Sequence, residues 1–540
     1  MADIANAMIV APQPEAAEAG ARVLMNGGNA VDAAMTAALV QGVVDPQMTG
    51  IAGFGNCQIY MPDRGVHTCI DFHGKTPSAA RPDMWLDRLI EETRDGFGFV
   101  LEGNVNDVGY QSVTTPGSLM AYSEAIREFG SYDWSDICQP AIGYAEDGFV
   151  IRPNVYLWWA SGASLGRVDV EDRLGYTQSG RELYFGADGK FKRIGERIVN
   201  TDMANSLKLI AKHGHEVFYQ GEIAERIAAD FEANDGLLTY EDLANYQLKW
   251  NQPLEGSYRT HRLTTNHPPG GGIMLVEMLN ILEQFDLSGM AHNSSEYIKT
   301  VAEAMKAATA DKEAFVGDPE FFDVPLERLA SKDHAISLAD RIKNGERMKV
   351  ERFKAAEPAD TTHVAVIDKE GNCVTMTHSL GMPSGVITEG LGFMFNGCMG
   401  VFDPRPGRAG SIAPGKSRFS SLCPTILFDD DEPRVVLGAP GGTQIAMGVL
   451  HTLLNIVDFD MTMQEAVSAP RFSATSDIID ITNRIPDYAV DPLREKGYEV
   501  VRFPSSFGIA AVHGIERAEG MLRGGADPGQ DGVALAVRQN

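Results

Sequence analysis

A change of character at residue 361 constrains this chain more than any other feature. Before it the sequence reads mostly as helix with short strands between; after it, strand signals dominate. Thr361 to Asp368 (TTHVAVID) alternates small or apolar with polar side chains. Lys369-Glu370-Gly371-Asn372 supplies a turn, and Cys373 to Leu380 (CVTMTHSL) alternates again. Successive strand residues face opposite sides, so two alternating runs around a short polar turn predict a β-hairpin. A second pair follows, LCPTILF and RVVLGAP, joined by the acidic turn Asp429 to Glu432; Gly441-Gly442 then opens a helical run from Gln444 to Val457. No repeat of 20–50 residues marks a solenoid. The expectation is one intertwined α+β unit.

Upstream, Glu15 to Met25 is alanine-rich and helical, and Asn26-Gly27-Gly28 stops it. Asn29 can cap a second helix, Val31 to Val44, with Asp32 favoured in its first turn by the helix dipole. Apolar spacing predicts helices over Met203 to Lys212, Gly221 to Asn234 and Ser294 to Phe315. Gln111 to Thr115 reads as a strand entering the Pro116-Gly117 turn, and Asn266 to Gly272 (NHPPGGG) as a loop, rigid and then flexible. Ser331 to Asp360 is charged and ends in AAEPAD, the pattern of a mobile surface connector.

Charge excludes some partners. Lys and Arg number 46 against 74 Asp and Glu, a net charge of −28, so neither nucleic acid nor an anionic membrane is an expected partner. The six cysteines form no CxxC pair, and no dense His/carboxylate cluster stands out. No metal and no cofactor is expected. The N-terminus does not read as a signal peptide, and the longest weakly polar stretch, Ala33 to Val44, is too short to span a bilayer. A soluble cytoplasmic protein is the expectation.

Three motifs suggest chemistry. Gly410 to Ser417 (GSIAPGKS) formally matches a phosphate-cradling loop, but Pro404 and Pro406 precede it where a buried strand is needed. Gly162 to Gly166 (GASLG) formally matches a nucleophile elbow. VYLWWA before it could be a strand, but the residues after it make a poor helix, which leaves Ser164 in a surface loop. Thr361 is the third. A threonine hydroxyl is a weak nucleophile without a base, and cleavage of the Asp360–Thr361 bond would make the residue's own α-amine that base, with a pKa of about 7.7–8.0.

The whole chain resembles the γ-glutamyltransferase family, N-terminal-nucleophile enzymes made as one self-cleaving precursor. GGNAVDAA and GVVDPQMTGIAGFG are similar to its opening signature. GLLTYEDLANY, HPPGGGI and DKEAFVGDPEF resemble its middle. TTHVAVIDKEGNCVTMTHSL, PGKSRFSSLCPTIL and GAPGGTQI resemble its catalytic third. The resemblance implies a four-layer αββα sandwich and two subunits, 1–360 and 361–540, in one structural unit. It implies Thr361 as nucleophile, exposed by cleavage after Asp360, with Ser379 supporting its hydroxyl. Gly441 and Gly442 fall at the oxyanion hole, and Ser420 and Ser421 at the acyl pocket.

The departures are as informative. The family has arginine after Asp71-Phe72, where this chain has His73, with Lys75 two positions on. Gly381 stands for an asparagine, Cys398 for a glutamine and Val401 for an aspartate. These losses remove the grip on a γ-glutamyl zwitterion. The reading is an autoprocessing threonine amidohydrolase acting on a small carboxylated, oxamate-like amide, or another non-γ-glutamyl amide, with His73 and Lys75 meeting the anion. Its rivals are a glutathione hydrolase or γ-glutamyltransferase and a non-catalytic binding protein on the same fold. A dimer of processed heterodimers is a further expectation.

Overall fold

The computed structural model describes residues 5–93, 96–161, 167–352 and 361–539. Two antiparallel sheets carry the architecture. The first has seven strands. From edge to edge they are β13 (Val533–Val537), β1 (Ala7–Ala11), β7 (Thr362–Ile367), β8 (Cys373–Ser379), β2 (Phe54–Met61), β3 (Val66–Phe72) and β4 (Lys249–Asn251). The second has six: β12 (Met521–Ala526), β11 (His513–Ala518), β10 (Glu432–Gly438), β9 (Thr425–Asp429), β6 (His261–Thr265) and β5 (Leu254–Tyr258). Both predicted hairpins form, β7 with β8 and β9 with β10.

Strand alternation sorts the side chains into layers. In the first sheet Ile9, Val364 and Val366 face outward, into the core under α1 (Pro14–Met25) and α2 (Ala30–Val44). Their neighbours Met8, Val10, Ala365 and Ile367 face inward, meeting Ile426, Phe428 and Val436 of the second sheet. Leu427, Val435 and Leu437 point the other way, into a core under the helices of the far side. Those helices are α5 (Gly272–Leu282), α6 (Ser295–Phe315), α7 (Lys332–Lys343) and α8 (Ile445–Val457). The result is a four-layer αββα sandwich. Strands from before and after residue 360 interleave in the first sheet and meet side by side in the second.

Local chemistry explains the helices. Asn29 caps α2, accepting from the N–H groups of Val31 and Asp32 at 2.8 and 3.1 Å, while Asp32 accepts from the Asn29 N–H at 2.8 Å. Every residue of α2 is buried, so its alanines serve close packing. The helices α3 (Thr201–His213) and α4 (Glu222–Ala233) fall where apolar spacing predicts them.

Three expectations need correction. Gln111 to Thr115 is not a strand: a single 3-10 turn spans Tyr110–Ser112, and Thr115 alone bridges to Lys75. VYLWWA lies within a helix, Pro153–Trp159, because Pro153 is pre-set for the first helical turn and Val155 and Trp159 share one buried face. The charged stretch after Ser331 is not a mobile connector through its first third. There α7 buries Ala335, Leu338, Ala339 and Ile342 along one side, and its charges face out. The expected cleavage residue Asp360 and the elbow residue Ser164 lie outside the described residues.

Candidate active site

Hairpin register builds the first part of the site. Thr362 pairs with His378 and His363 with Thr377, so Thr361 and Ser379 fall opposite one another at the end of the ladder. Both side chains face the second sheet, as Ala365 and Ile367 do. The Thr361 hydroxyl donates to Ser379 Oγ at 3.2 Å, and Ser379 Oγ also accepts from the Gly381 N–H at 2.8 Å. Thr361 is only 3% exposed.

The second sheet brings the other part. Beyond β10 the chain turns at Gly441 and Gly442 and enters α8 through a short 3-10 turn. The N–H groups at the start of such a helix have no preceding turn to accept them, and the dipole favours negative charge there. Gly441 has φ of 143°, and a Cβ on it would stand 2.6 Å from the Ala510 Cα. Only glycine fits this turn. Thr361 borders a depression on either side, one shared with Gly441 and one with Gly442, Ser420 and Ser421.

Ser420 and Ser421 are held by the NHPPGGG loop. The Ser420 N–H donates to the Pro269 carbonyl at 2.8 Å, and Gly271 N–H and Asn266 Nδ2 both donate to the Leu422 carbonyl at 2.8 Å. Gln13 and Gln41, which sequence reasoning missed, reach Thr362 Oγ1 at 3.1 and 3.3 Å from beneath the hairpin. His378 hydrogen-bonds Gln41, Thr49 and Tyr122 there. Burial pushes its pKa down to about 3, so the His378 ring is neutral at pH 7.

His73 and Lys75 are not where the sequence reading puts them. The His73 ring is fully buried, with Nδ1 2.6 Å from Asp71 Oδ1 and Nε2 2.6 Å from Ser420 Oγ. Burial raises the Asp71 pKa, but its contacts with His73 outweigh that and hold it below the usual carboxylate value. His73 therefore orients Ser420 and does not line the depressions beside Thr361. The Lys75 ammonium lies 5.6 Å from the centre of the Tyr246 ring and does not line them either. Among the described residues, the cation that does is Arg418, which lies within the PGKSRFSSLCPTIL run but is given no role by the sequence reading.

The phosphate-loop match dissolves on inspection. Lys416 is buried and donates to the carbonyls of Ala409 and Ser411, and no helix follows it. Among the described residues, Glu277, Asp311 and His334 form the one group whose ligand atoms could converge on a metal ion. His334 Nε2 already sits 2.6 Å from Asp311 and 3.3 Å from Glu277, so an ion pair accounts for the cluster. None of the three lines the depressions at Thr361.

A family model described as gamma-glutamyltranspeptidase matches residues 16–537. The chain belongs to that family. Similarity within the family runs in two directions. The acylase ACY 1 proenzyme of Pseudomonas sp. (strain V22) is 35% identical over 538 residues, covering 98% of this chain and 93% of its own length. The glutathione hydrolase proenzyme of Escherichia coli (strain K12) is 32% identical over 487 residues, covering 86% of this chain and 80% of its own length. Among solved structures, the cephalosporin acylase of Bacillus halodurans superposes with a TM-score of 0.86 at 26% identity, covering 98% of this chain and 96% of that one. The protein is thus a gamma-glutamyltranspeptidase-family enzyme, an amidohydrolase or acyltransferase of the N-terminal-nucleophile fold.

Proposed function

We propose that this family member cuts itself at Asp360–Thr361 and then hydrolyses a small carboxylated amide through an acyl-enzyme on Thr361. The observation that carries the reading is the 3.2 Å contact of the Thr361 and Ser379 hydroxyls in a cleft shared with Gly441 and Gly442. Once freed, the Thr361 α-amine takes the hydroxyl proton as the oxygen attacks the amide carbonyl. The N–H groups of Gly441 and Gly442 receive the developing oxyanion. The leaving amine departs with the proton, and water then releases the acid by the same path in reverse.

The glutathione hydrolase relatives favour a second reading, and the substrate pocket argues against it. A γ-glutamyl group carries an ammonium and a carboxylate, and charged hydrogen bonds contribute roughly 1.5–3 kcal/mol each. His73 is engaged by Asp71 and Ser420, and Gly381, Cys398 and Val401 offer no carboxylate to an ammonium.

The test is direct. Purified protein should run as two associated fragments, the smaller beginning Thr-Thr-His-Val by Edman sequencing, and Thr361→Ala should abolish both cleavage and turnover. Oxamate and related carboxylated amides should be hydrolysed at least a hundredfold more efficiently in kcat/KM than glutathione or γ-glutamyl-p-nitroanilide, corresponding to ~2.7 kcal/mol of lost glutamyl recognition. A stable single chain with full activity overturns the mechanism, and efficient glutathione turnover overturns the substrate class.

A further inference from the structure

Among the described residues, the cleft contains one cation without a hydrogen-bond or carboxylate partner. The depression beside Thr361 adjoins a second one, the two sharing Gly96, Val401, Arg418 and Phe419. Among the described residues, five cationic side chains line the pair. Lys312 lies 2.7 Å from the Glu313 carboxylate. Arg405 grips Asp403 with two contacts of 2.7 Å, and Arg408 lies 3.7 Å from the same carboxylate. Lys416 donates to two carbonyls.

Arg418 has none of this. It is 4% exposed, and among the described residues its Nε and Nη1 have no hydrogen-bond partner. Its guanidinium lies 4.5 Å from the centre of the Phe54 ring and 5.8 Å from that of Phe97. The titratable groups acting on it are the Cys398 thiol, which burial pushes up to about 11, and Arg167, a like charge. Burial lowers the pKa of Arg418, yet a guanidinium stays protonated at neutral pH. An unpaired buried charge is costly to keep, and an incoming anion removes that cost.

The family departures converge on this side chain. A Cβ on Gly381 would stand 3.0 Å from Cys398 Sγ and 3.7 Å from Arg418 Nη1. Val401 lines both depressions with it. Where the family's pattern has side chains that can hold an ammonium, this chain has a small neutral wall around one guanidinium.

We propose that Arg418 binds a carboxylate on the acyl part of the substrate, so that the enzyme selects monoamides of dicarboxylic acids over uncharged amides. The proposal rests on the amidohydrolase reading above. A planar guanidinium matches a carboxylate with two parallel hydrogen bonds, and the flanking aromatic rings fix its plane.

The experiment compares p-nitroanilides of dicarboxylic acids of two to six carbons with isosteres whose free carboxylate is replaced by a primary amide. Wild type should favour the best carboxylated member in kcat/KM, and Arg418→Met should reduce that preference at least about thirtyfold, chiefly through KM. Arg418→Lys, which keeps the charge without the fork, should restore part of it. Intact mass of the smaller fragment reports the acyl adduct on Thr361 throughout. A preference that survives Arg418→Met, or that is equally low in the methionine and lysine variants, overturns the anchor. Wild type that acylates Thr361 equally well with both series overturns it too and leaves the amidohydrolase reading standing. No adduct on Thr361 with any of these anilides overturns both.

Discussion

At the scale of single residues, the site depends on side chains that hold one another. Ser379 accepts hydrogen bonds from Thr361 and from the Gly381 amide, and both fix where the oxygen of the proposed nucleophile stands. Ser379→Ala should therefore lower kcat about fivefold with little change in KM, since one hydrogen bond is worth about 1 kcal/mol. Steady-state kinetics on a carboxylated anilide reads this directly, and an equal rise in KM would point to a binding role instead. His73 shows how residue type alone can mislead. An imidazole at the family's arginine position invites the reading of a weaker carboxylate clamp, yet both its nitrogens are engaged by Asp71 and Ser420. Removing it in His73→Ala leaves the buried Asp71 without its ring partner. The expected loss is about 1–3 kcal/mol of stability, seen as a lower urea midpoint.

At the scale of elements, two turns matter most. The β7–β8 hairpin fixes the Thr361–Ser379 pair by register, and a slip of one strand by one residue would put the two hydroxyls on opposite faces. The turn from β10 into α8 fixes the Gly441 and Gly442 amides proposed to receive the oxyanion. Gly441→Ala meets the Ala510 backbone at 2.6 Å in a left-handed conformation, so the turn must shift. Losing a well-placed oxyanion donor costs about 10²–10³ in kcat. The expected result is a fall of that order alongside a lower thermal midpoint. A variant with normal kcat would remove Gly441 from the proposed machinery.

At the scale of the whole molecule, interleaved strands and buried histidines set the behaviour. Both sheets take strands from before and after residue 360, so fragments cut there should separate only in denaturant, not on gel filtration. His378 and His451 are buried, and burial lowers each pKa to about 3 from an ordinary 6.5. Below pH 6.5 the unfolded chain binds protons that the folded one refuses, so stability falls as pH drops from 6.5 toward 3. Each such group contributes up to about 1.4 kcal/mol per pH unit in that window. Urea midpoints measured between pH 7 and 5 should show the decline, and His451→Gln should make it shallower by one group's share. An unchanged slope would mean that His451 titrates normally.

The sequence by itself determined the elements whose signals are local. The two hairpins follow from alternation and turn chemistry, the cap on α2 from Asn29 and Asp32, and the buried character of α2 from its alanines. It also marked Thr361, Ser379, Gly441 and Gly442 through the family pattern, because each sits in a run whose order along the chain is its signature. Only the tertiary structure decided which charges meet. Asp71 and His73 stand together at the end of β3, but Ser420 is 347 positions from His73, and no spacing reveals that the ring closes on that hydroxyl. Nor does any local pattern separate Arg418, which has no carboxylate partner among the described residues, from Arg405, which lies thirteen positions before it and is paired with Asp403. The physical reason is the range of the forces. Backbone propensity acts within a turn of chain, whereas burial and pairing of charge are settled only when distant segments pack together.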